Sequence, residues 1–212
     1  MENKEAINTL NEIKDLMEKS SRFQSIDGWS IIIIGILASI VSAGAWLLLL
    51  PHPQLEWLPA SCNGILINSP YRTLIASICA LALLGISFLT VSLMSYRKVK
   101  KQKGSFSFDQ TIRRPLFHFC VPMIAGGLFC LAMLLQGHYG LTSTFMLVFY
   151  GLALLNASHY THRSIALLGY GELLLGIIDC FVVTHAILFW FFGFGLLHIL
   201  FGIYFLINKY NG

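Results

Sequence analysis

The chain has 212 residues, of which 56% are apolar and only 11% are charged, and its mean hydropathy is +0.72. A soluble domain carries about 25% charged residues, so this composition excludes a water-soluble globular protein. The formal net charge is +4 at pH 7, and its basic residues are concentrated beside apolar runs. Such clusters usually hold a loop on the cytoplasmic side, near anionic lipid, so they indicate topology and not nucleic-acid binding.

Residues 1–26 precede the first long apolar run and are predicted to form a separate, amphipathic, cytoplasmic helix. Their apolar residues recur at 4-3-4 spacing on one helical stripe, which consists of Ala6, Leu10, Ile13 and Met17. Two interpretations are open: the stripe docks on a partner protein or a second copy of the chain, or it packs against the chain's own bundle. The near-neutral charge of the segment argues against strong binding to anionic lipid.

Six apolar runs follow, and each is close to the roughly 20 residues that a helix needs to cross about 30 Å of hydrocarbon. They cover residues 28–50, 73–95, 115–135, 140–158, 165–184 and 186–207. The first run continues past its small-residue Ala43-Gly44-Ala45 motif, so we interpret it as a span and not as a cleaved signal peptide. The predicted fold is all-α: a polytopic membrane bundle of six transmembrane helices over residues 27–212, preceded by the amphipathic helix.

The distribution of lysine and arginine across the short loops predicts the orientation of the chain. With six spans, every lysine and arginine except Arg72 falls on the side of the two termini. Both termini are therefore predicted to be cytoplasmic. The loop between the second and third runs carries a basic cluster that is expected to contact lipid headgroups or a cytosolic partner: Arg97, Lys98, Lys100, Lys101 and Lys103.

The opening MENKEAINTLNEIKDLMEKSSRF, followed directly by a span rich in glycine and isoleucine, resembles a group of small multi-spanning bacterial proteins without an assigned function. The likeness is sharp over about the first 35 residues and otherwise consists of span number and length. The resemblance implies a bacterial inner membrane. It implies no activity, and no functional residue is carried over from it.

The fifth run contains two acidic residues, Glu172 and Asp179. Because they are seven residues apart, they share one face of a helix at about 10 Å from each other along its axis, together with Gly169 and Gly176. Small residues let a neighbouring helix approach closely, whereas a charged acid facing lipid near the bilayer centre costs at least ~2.5–3.5 kcal/mol. Both acids are therefore predicted to point into the protein.

The sixth run carries a matching stripe of Gly195, His198 and Gly202. Counted at about 1.5 Å per residue from the span ends, His198 and Glu172 lie near the midplane, so we expect the two glycine-lined faces to meet and bring them into contact. Two interpretations are open: a buried pair that fixes helix register, or a site that handles a proton or cation. Asp179 is expected nearer the outer end of this internal polar site.

A second polar cluster is predicted at the cytoplasmic ends of the spans, and it consists of His118, Asn156, His159 and His162. His159 and His162 are spaced to face the same way on a helix, as two imidazole ligands of a metal would. No cysteine or carboxylate lies at a short ligand spacing, so histidines that cap helices or snorkel at an interface are the favoured interpretation. Neither a metal site nor a cofactor is predicted.

The chain contains no Walker loop, dinucleotide glycine fingerprint, HExxH helix or G-x-S-x-G elbow, so nothing specifies an enzymatic reaction. The leading hypothesis is a small permease- or channel-like protein that handles a proton, ion or small solute through the internal polar site. Six spans are few for a self-contained carrier, so transport would require a homo-oligomer. The alternative is a membrane-embedded regulator or scaffold that recruits a cytosolic partner through its N-terminal helix and basic loop.

Overall fold

The structure, a computed structural model, describes residues 28–49, 72–103, 110–138, 140–182 and 185–210. Within these ranges the chain is helical and contains no strand. The six helices of this part are α1 (Gly28–Leu49), α2 (Arg72–Lys103), α3 (Gln110–Leu135), α4 (Leu141–Ser158), α5 (Ile165–Phe181) and α6 (186–210). The predicted amphipathic helix of residues 1–26, with Leu10, Ile13 and Met17, lies outside the described residues.

Four stretches of the described helices are long and apolar enough to cross a membrane: Gly28–Leu47, Ile112–Leu135, Leu141–Ser158 and Ala186–Asn208. A helix is the form such segments take in lipid, because it satisfies every backbone polar group internally. α5 has only 17 residues, and in α2 the described apolar stretch is the shorter Ala82–Arg97. The prediction of an all-helical chain with membrane-compatible helices is therefore confirmed, while the count of six spans stays a prediction.

α6 is a continuous rod of three segments: an α-helical Ala186–Trp190, a π-helical Phe191–Leu197 and an α-helical His198–Tyr210. A π-helical turn is wider than an α-helical one and is frequently found at functional sites. Gly193 and Gly195 lie in this wide segment, and both are buried. The wide segment thus lies in the first half of the rod and ends directly before His198, which is at its middle.

The link from α3 to α4 depends on one glycine. The backbone N–H of His138 donates to the carbonyl of Met133 at 2.9 Å, and that of Gly137 donates to the carbonyl of Leu134 at 3.2 Å. This pair of bonds is a Schellman motif, and it needs a left-handed residue, which Gly137 supplies with φ +80°. The turn ends α3 and allows α4 to run back beside it.

α4 is the central helix and lies between α3 and α5. α6 packs on α1 along much of its length, and its π-helical segment also contacts α5. α1 in turn contacts α2. A buried apolar cluster joins α1, α4, α5 and α6, and it consists of Ile31, Leu154, Ile165, Leu168, Phe201 and Phe205.

α4 and α5 pack backbone against backbone. A Cβ atom added to Gly151 would lie 2.8 Å from the carbonyl oxygen of Gly169 and 2.8 Å from the backbone nitrogen of Leu173. One added to Gly176 would lie 2.9 Å from the backbone nitrogen of Val148. Because side-chain carbons do not approach backbone atoms so closely, only glycine permits this separation of the two helices.

A second glycine contact joins α1 and α6. A Cβ atom on Gly35 would lie 2.8 Å from the carbonyl oxygen of Gly195, and one on Gly202 would lie 3.1 Å from the carbonyl oxygen of Gly28. The expectation that the glycine stripes of α5 and α6 face each other is therefore wrong. Small residues let backbones approach closely, and the small partners of the α5 and α6 glycines lie on α4, at Gly151, and on α1, at Gly28 and Gly35.

The outer faces of the helices are strongly apolar. Phe181 is 84% exposed and Leu135 is 80% exposed, and many other large apolar side chains on these faces are exposed as well. A soluble monomer rarely exposes so much contiguous apolar surface, whereas lipid covers it without penalty. The apolar helices therefore indicate contact with a lipid bilayer.

Candidate functional site

Glu172 is the acidic residue at the centre of the bundle. It lies near the middle of the 17-residue α5, and its side chain is 0% exposed. The Gly151–Gly169 contact one turn away holds α4 against this face of α5. Glu172 is therefore enclosed by protein, as is required of an acid in the middle of an apolar helix.

His198 lies opposite Glu172, at the first residue after the π-helical segment of α6. Its ring is also buried, with 2% of the residue exposed. The Nδ1 atom of His198 is 3.2 Å from Oε1 of Glu172 and 3.0 Å from the carbonyl oxygen of Gly193. The structure thus brings together the two residues at the centre of the predicted internal site.

The carbonyl of Gly193 determines how the His198 ring is protonated. A carbonyl oxygen only accepts hydrogen bonds, so Nδ1 of His198 must carry the proton that it donates to Gly193. In the neutral ring, Nε2 is then the free acceptor, and the hydroxyl of Tyr150 lies 2.8 Å from it. We assign the hydroxyl of Tyr150 as the donor to Nε2.

Tyr150 was not singled out in the sequence. It belongs to α4, and its ring stacks on that of His198 with centroids 5.5 Å apart. A tyrosine in the middle of an apolar run is a sequence signal that could have identified Tyr150, because a buried tyrosine hydroxyl requires a hydrogen-bond partner. The identity of that partner was not readable, because Tyr150 and His198 are 48 positions apart.

The carboxyl group of Glu172 has no hydrogen-bond donor among the described residues. Its Oε1 atom is within ion-pair distance of His198, but the Nδ1–H group of that ring is directed at Gly193, so the contact is not a hydrogen bond. A buried polar group left without a hydrogen bond costs about 1–3 kcal/mol, and more when it is charged. Glu172 is therefore the most destabilising polar group of the site.

Gly193 leaves the space that the Glu172 side chain occupies. A Cβ atom added to Gly193 would lie 2.6 Å from Oε2 of Glu172 and would also overlap with Cδ2 of Leu147. The π-helical segment thus contributes two things to the site: a carbonyl that fixes the His198 ring, and a glycine that admits the carboxyl group.

Asp179 forms a second buried site, between α5 and the first turn of α4. It is 0% exposed, and its Oδ2 atom accepts hydrogen bonds from Ser143 at 2.5 Å and from Thr144 at 2.9 Å. Its Oδ1 atom has no partner among the described residues. We expected Asp179 near the outer end of the site without a named partner, and neither hydroxyl had been singled out in the sequence.

The first turn of α4 also favours a negative charge at Asp179. Ser143 and Thr144 are the third and fourth residues of α4, where unpaired backbone N–H groups give the helix end a partial positive charge. No side chain caps this end from Gly140. A carboxylate at Asp179 is thus stabilised by two hydroxyl donors and by the helix end, whereas Glu172 faces neither.

The histidines of the predicted cytoplasmic cluster make separate contacts in the structure. His118 stacks on the ring of Tyr160 with centroids 4.6 Å apart, and His162 meets the ring of Phe205 edge-on at 5.0 Å. Asn156 and His159 are exposed. Within the described ranges, no group of three or more histidine, cysteine, aspartate or glutamate side chains is arranged to hold a metal ion.

The basic cluster lies on the last turns of α2. The backbone of Lys98, Lys101 and Lys103 is helical, but their side chains are outside the described part. Arg97 and Lys100 are exposed, and the ammonium group of Lys100 lies 5.9 Å from the centre of the Tyr96 ring. With 32 residues at about 1.5 Å each, α2 is long enough to continue beyond a hydrocarbon layer of about 30 Å.

Comparisons of the chain with protein-family models, with curated proteins and with solved structures found no match. The functional interpretation therefore depends on the geometry of the Glu172 and Asp179 sites.

Proposed function

We propose that the chain is a small permease- or channel-like protein of the bacterial inner membrane that handles a proton, ion or small solute through the site around Glu172 and His198. In this proposal all six helices span the membrane and both termini are cytoplasmic. Asp179 lies toward the outer end of the site, and the cluster of His118, Asn156, His159 and His162 lies toward the inner end. A terminal reporter that is accessible only from the periplasm would contradict this topology.

One observation carries the proposal: Glu172 is fully buried beside His198, yet neither of its carboxyl oxygens accepts a hydrogen bond from the described residues. A pair that served only to fix helix register would be more stable with its donors and acceptors matched. Ionisable groups inside membrane helices commonly mark the paths of protons and ions, and a carboxyl group without a fixed hydrogen-bond donor is free to bind a cation.

The test is a flux measurement on protein reconstituted in lipid vesicles. We expect wild-type vesicles to carry a proton, ion or solute flux and Glu172→Gln to abolish it, because glutamine has the size of glutamate but cannot ionise. Asp109→Asn is the matched control, since it makes the same chemical change in the segment between α2 and α3, and it should keep the flux. Absence of any wild-type flux across a panel of ions and solutes, or full flux in Glu172→Gln, would overturn the proposal.

The regulator or scaffold is the second candidate, and the exposed basic end of α2 favours it. Arg97 and Lys100 extend from a helix that continues past its apolar stretch, where a cytosolic partner or anionic headgroups can reach them. Deleting residues 1–24 separates the two functions. Loss of the cellular phenotype with an unchanged bundle stability supports recruitment, whereas an unchanged phenotype supports a function inside the membrane.

A further inference from the structure

A continuous line of polar atoms crosses the centre of the bundle from α5 to α4. It runs from Oε1 of Glu172 to Nδ1 of His198 over 3.2 Å, and from Nε2 of the same ring to the hydroxyl of Tyr150 over 2.8 Å. We propose that the cargo of the internal site is the proton, and that His198 passes it between Tyr150 and Glu172. This inference rests on the proposed function and makes it specific.

The packing around Glu172 favours a proton over a larger cargo. The space beside the carboxyl group is already filled, because a Cβ atom on Gly193 would overlap with the ends of the Glu172 and Leu147 side chains unless these moved. The ring of Phe194 lies 5.2 Å from that of Tyr150, measured between centroids, and adds an apolar wall. A proton needs no cavity, since it passes between polar atoms that already lie no more than 3.2 Å apart.

The resting state follows from the hydrogen bonds of the His198 ring. Nδ1–H donates to the carbonyl of Gly193, Nε2 accepts from the hydroxyl of Tyr150, and Glu172 lies beside Nδ1 without a donor. The neutral ring thus presents its basic nitrogen to Tyr150, while its N–H is directed at Gly193 and its Nδ1 atom lies 3.2 Å from Oε1 of Glu172. The ring can therefore receive a proton at Nε2, and a small tilt that turns Nδ1–H from Gly193 toward Glu172 lets it release one there.

Loading the site then takes two balanced steps. The O–H bond of Tyr150 that faces Nε2 breaks as an N–H bond forms at Nε2, the Tyr150 oxygen takes up a replacement proton from a hydronium ion, which leaves as water, and the ring becomes a cation beside the Glu172 carboxylate. The Nδ1–H bond then breaks, an O–H bond forms at Oε1 of Glu172, and the ring is neutral again with its proton on Nε2. One proton has entered, and the Tyr150 oxygen has changed from donor to acceptor, which a hydroxyl group permits.

Tyr150 passes the proton through its hydroxyl in this scheme, and that hydroxyl can be removed without removing the packing of the ring. Tyr150→Phe keeps the ring that stacks on His198 but leaves Nε2 without its partner. Tyr170→Phe is the matched control, because Tyr170 belongs to α5 and is 63% exposed on the outer face of that helix. In vesicles with a pH-sensitive dye inside, we expect Tyr150→Phe to slow the proton flux about tenfold or more, as for loss of a hydrogen bond to a charged group. Tyr170→Phe should match the wild type.

A second measurement tests the relay without relying on flux. Nitrogen-15 spectra of histidine-labelled protein in lipid nanodiscs, with His198→Gln used to assign the signal, should show neutral His198 protonated on Nδ1. Tyr150→Phe should shift the Nε2 signal, and Tyr170→Phe should leave it in place.

The outcomes separate the two proposals. Solute flux without proton flux retains the transport function and overturns the proton inference. Full proton flux in Tyr150→Phe also overturns it, as does a His198 ring protonated on Nε2 at rest. If the wild type carries no flux at all, the transport function fails and the proton inference, which rests on it, fails with it. The spectra then decide only whether the His198 hydrogen bonds are as described.

Discussion

The two buried acids of α5 lie two helical turns apart in very different surroundings. Asp179 accepts two hydroxyl hydrogen bonds at the positive end of α4. Glu172 lies in the middle of its helix beside a histidine that donates elsewhere, and it receives no hydrogen bond from the described residues. The carboxyl group of Asp179 thus stabilises the packing of α4 on α5, whereas the carboxyl group of Glu172 destabilises the bundle. The contrast supports the proposal that Glu172 handles the cargo, whereas the described contacts of Asp179 hold α4 against α5.

The largest expected effect on stability comes from adding a methyl group near each acid, which tests how rigid the surroundings of Asp179 and of Glu172 are. Gly176→Ala, one turn from Asp179, places a carbon 2.9 Å from the backbone nitrogen of Val148, so α4 and α5 must separate. We expect the free energy of unfolding to fall by about 2–3 kcal/mol. Gly193→Ala meets only the ends of the Leu147 and Glu172 side chains, which rotate, and should cost about 1 kcal/mol or less. Denaturant titration in detergent micelles measures both.

Gly127→Ala is the control for these two glycine variants, because a Cβ atom there has no atom of the described chain within 4 Å. It should leave the stability unchanged or raise it slightly. Equal losses in Gly176→Ala and Gly193→Ala would mean that the Glu172 surroundings are as rigid as those of Asp179.

An intermediate effect is expected from Asp179→Ala. This change leaves the hydroxyls of Ser143 and Thr144 without their acceptor and should lower the free energy of unfolding by about 1–2 kcal/mol. In a Ser143→Ala, Thr144→Val background the same change should cost clearly less, because those hydrogen bonds are already absent. Cys180→Ala, at the exposed neighbouring position, serves as the truncation control. Additive losses in the double-mutant cycle would contradict a structural role through these hydroxyls.

The smallest expected effect has the opposite sign. Glu172→Gln removes an ionisable group to which no described residue donates a hydrogen bond. The free energy of unfolding should therefore stay the same or rise by about 1 kcal/mol, although the proposal predicts that transport is lost. The measurement is the same denaturant titration, run beside Asp109→Asn. A loss of about 3–5 kcal/mol would show instead that Glu172 and His198 form a tight buried ion pair, and the contrast with Asp179 would disappear.

Parts of the candidate site were predictable from the sequence because helices have a fixed rise. Glu172 and His198 lie near the middle of antiparallel apolar runs, so counting residues places them at one depth. The burial of both acids also followed from the unfavourable transfer of charge into lipid. The partners on α4 did not follow: Ser143, Thr144 and Tyr150 carry common polar groups within an apolar run, and no local spacing relates them to residues so distant in the chain.

By itself the amino-acid sequence determined that this chain is a set of apolar helices, because lipid offers no hydrogen bonds to the backbone and each run must satisfy its own. It also determined which residues are too polar to face lipid. Only the tertiary structure decided which helices touch, because close approach depends on small residues at the contact. The glycines of α5 and α6 meet small residues of α4 and α1, and not each other. That pairing gave Asp179 two hydroxyl donors and gave Glu172 none from the described part of the chain.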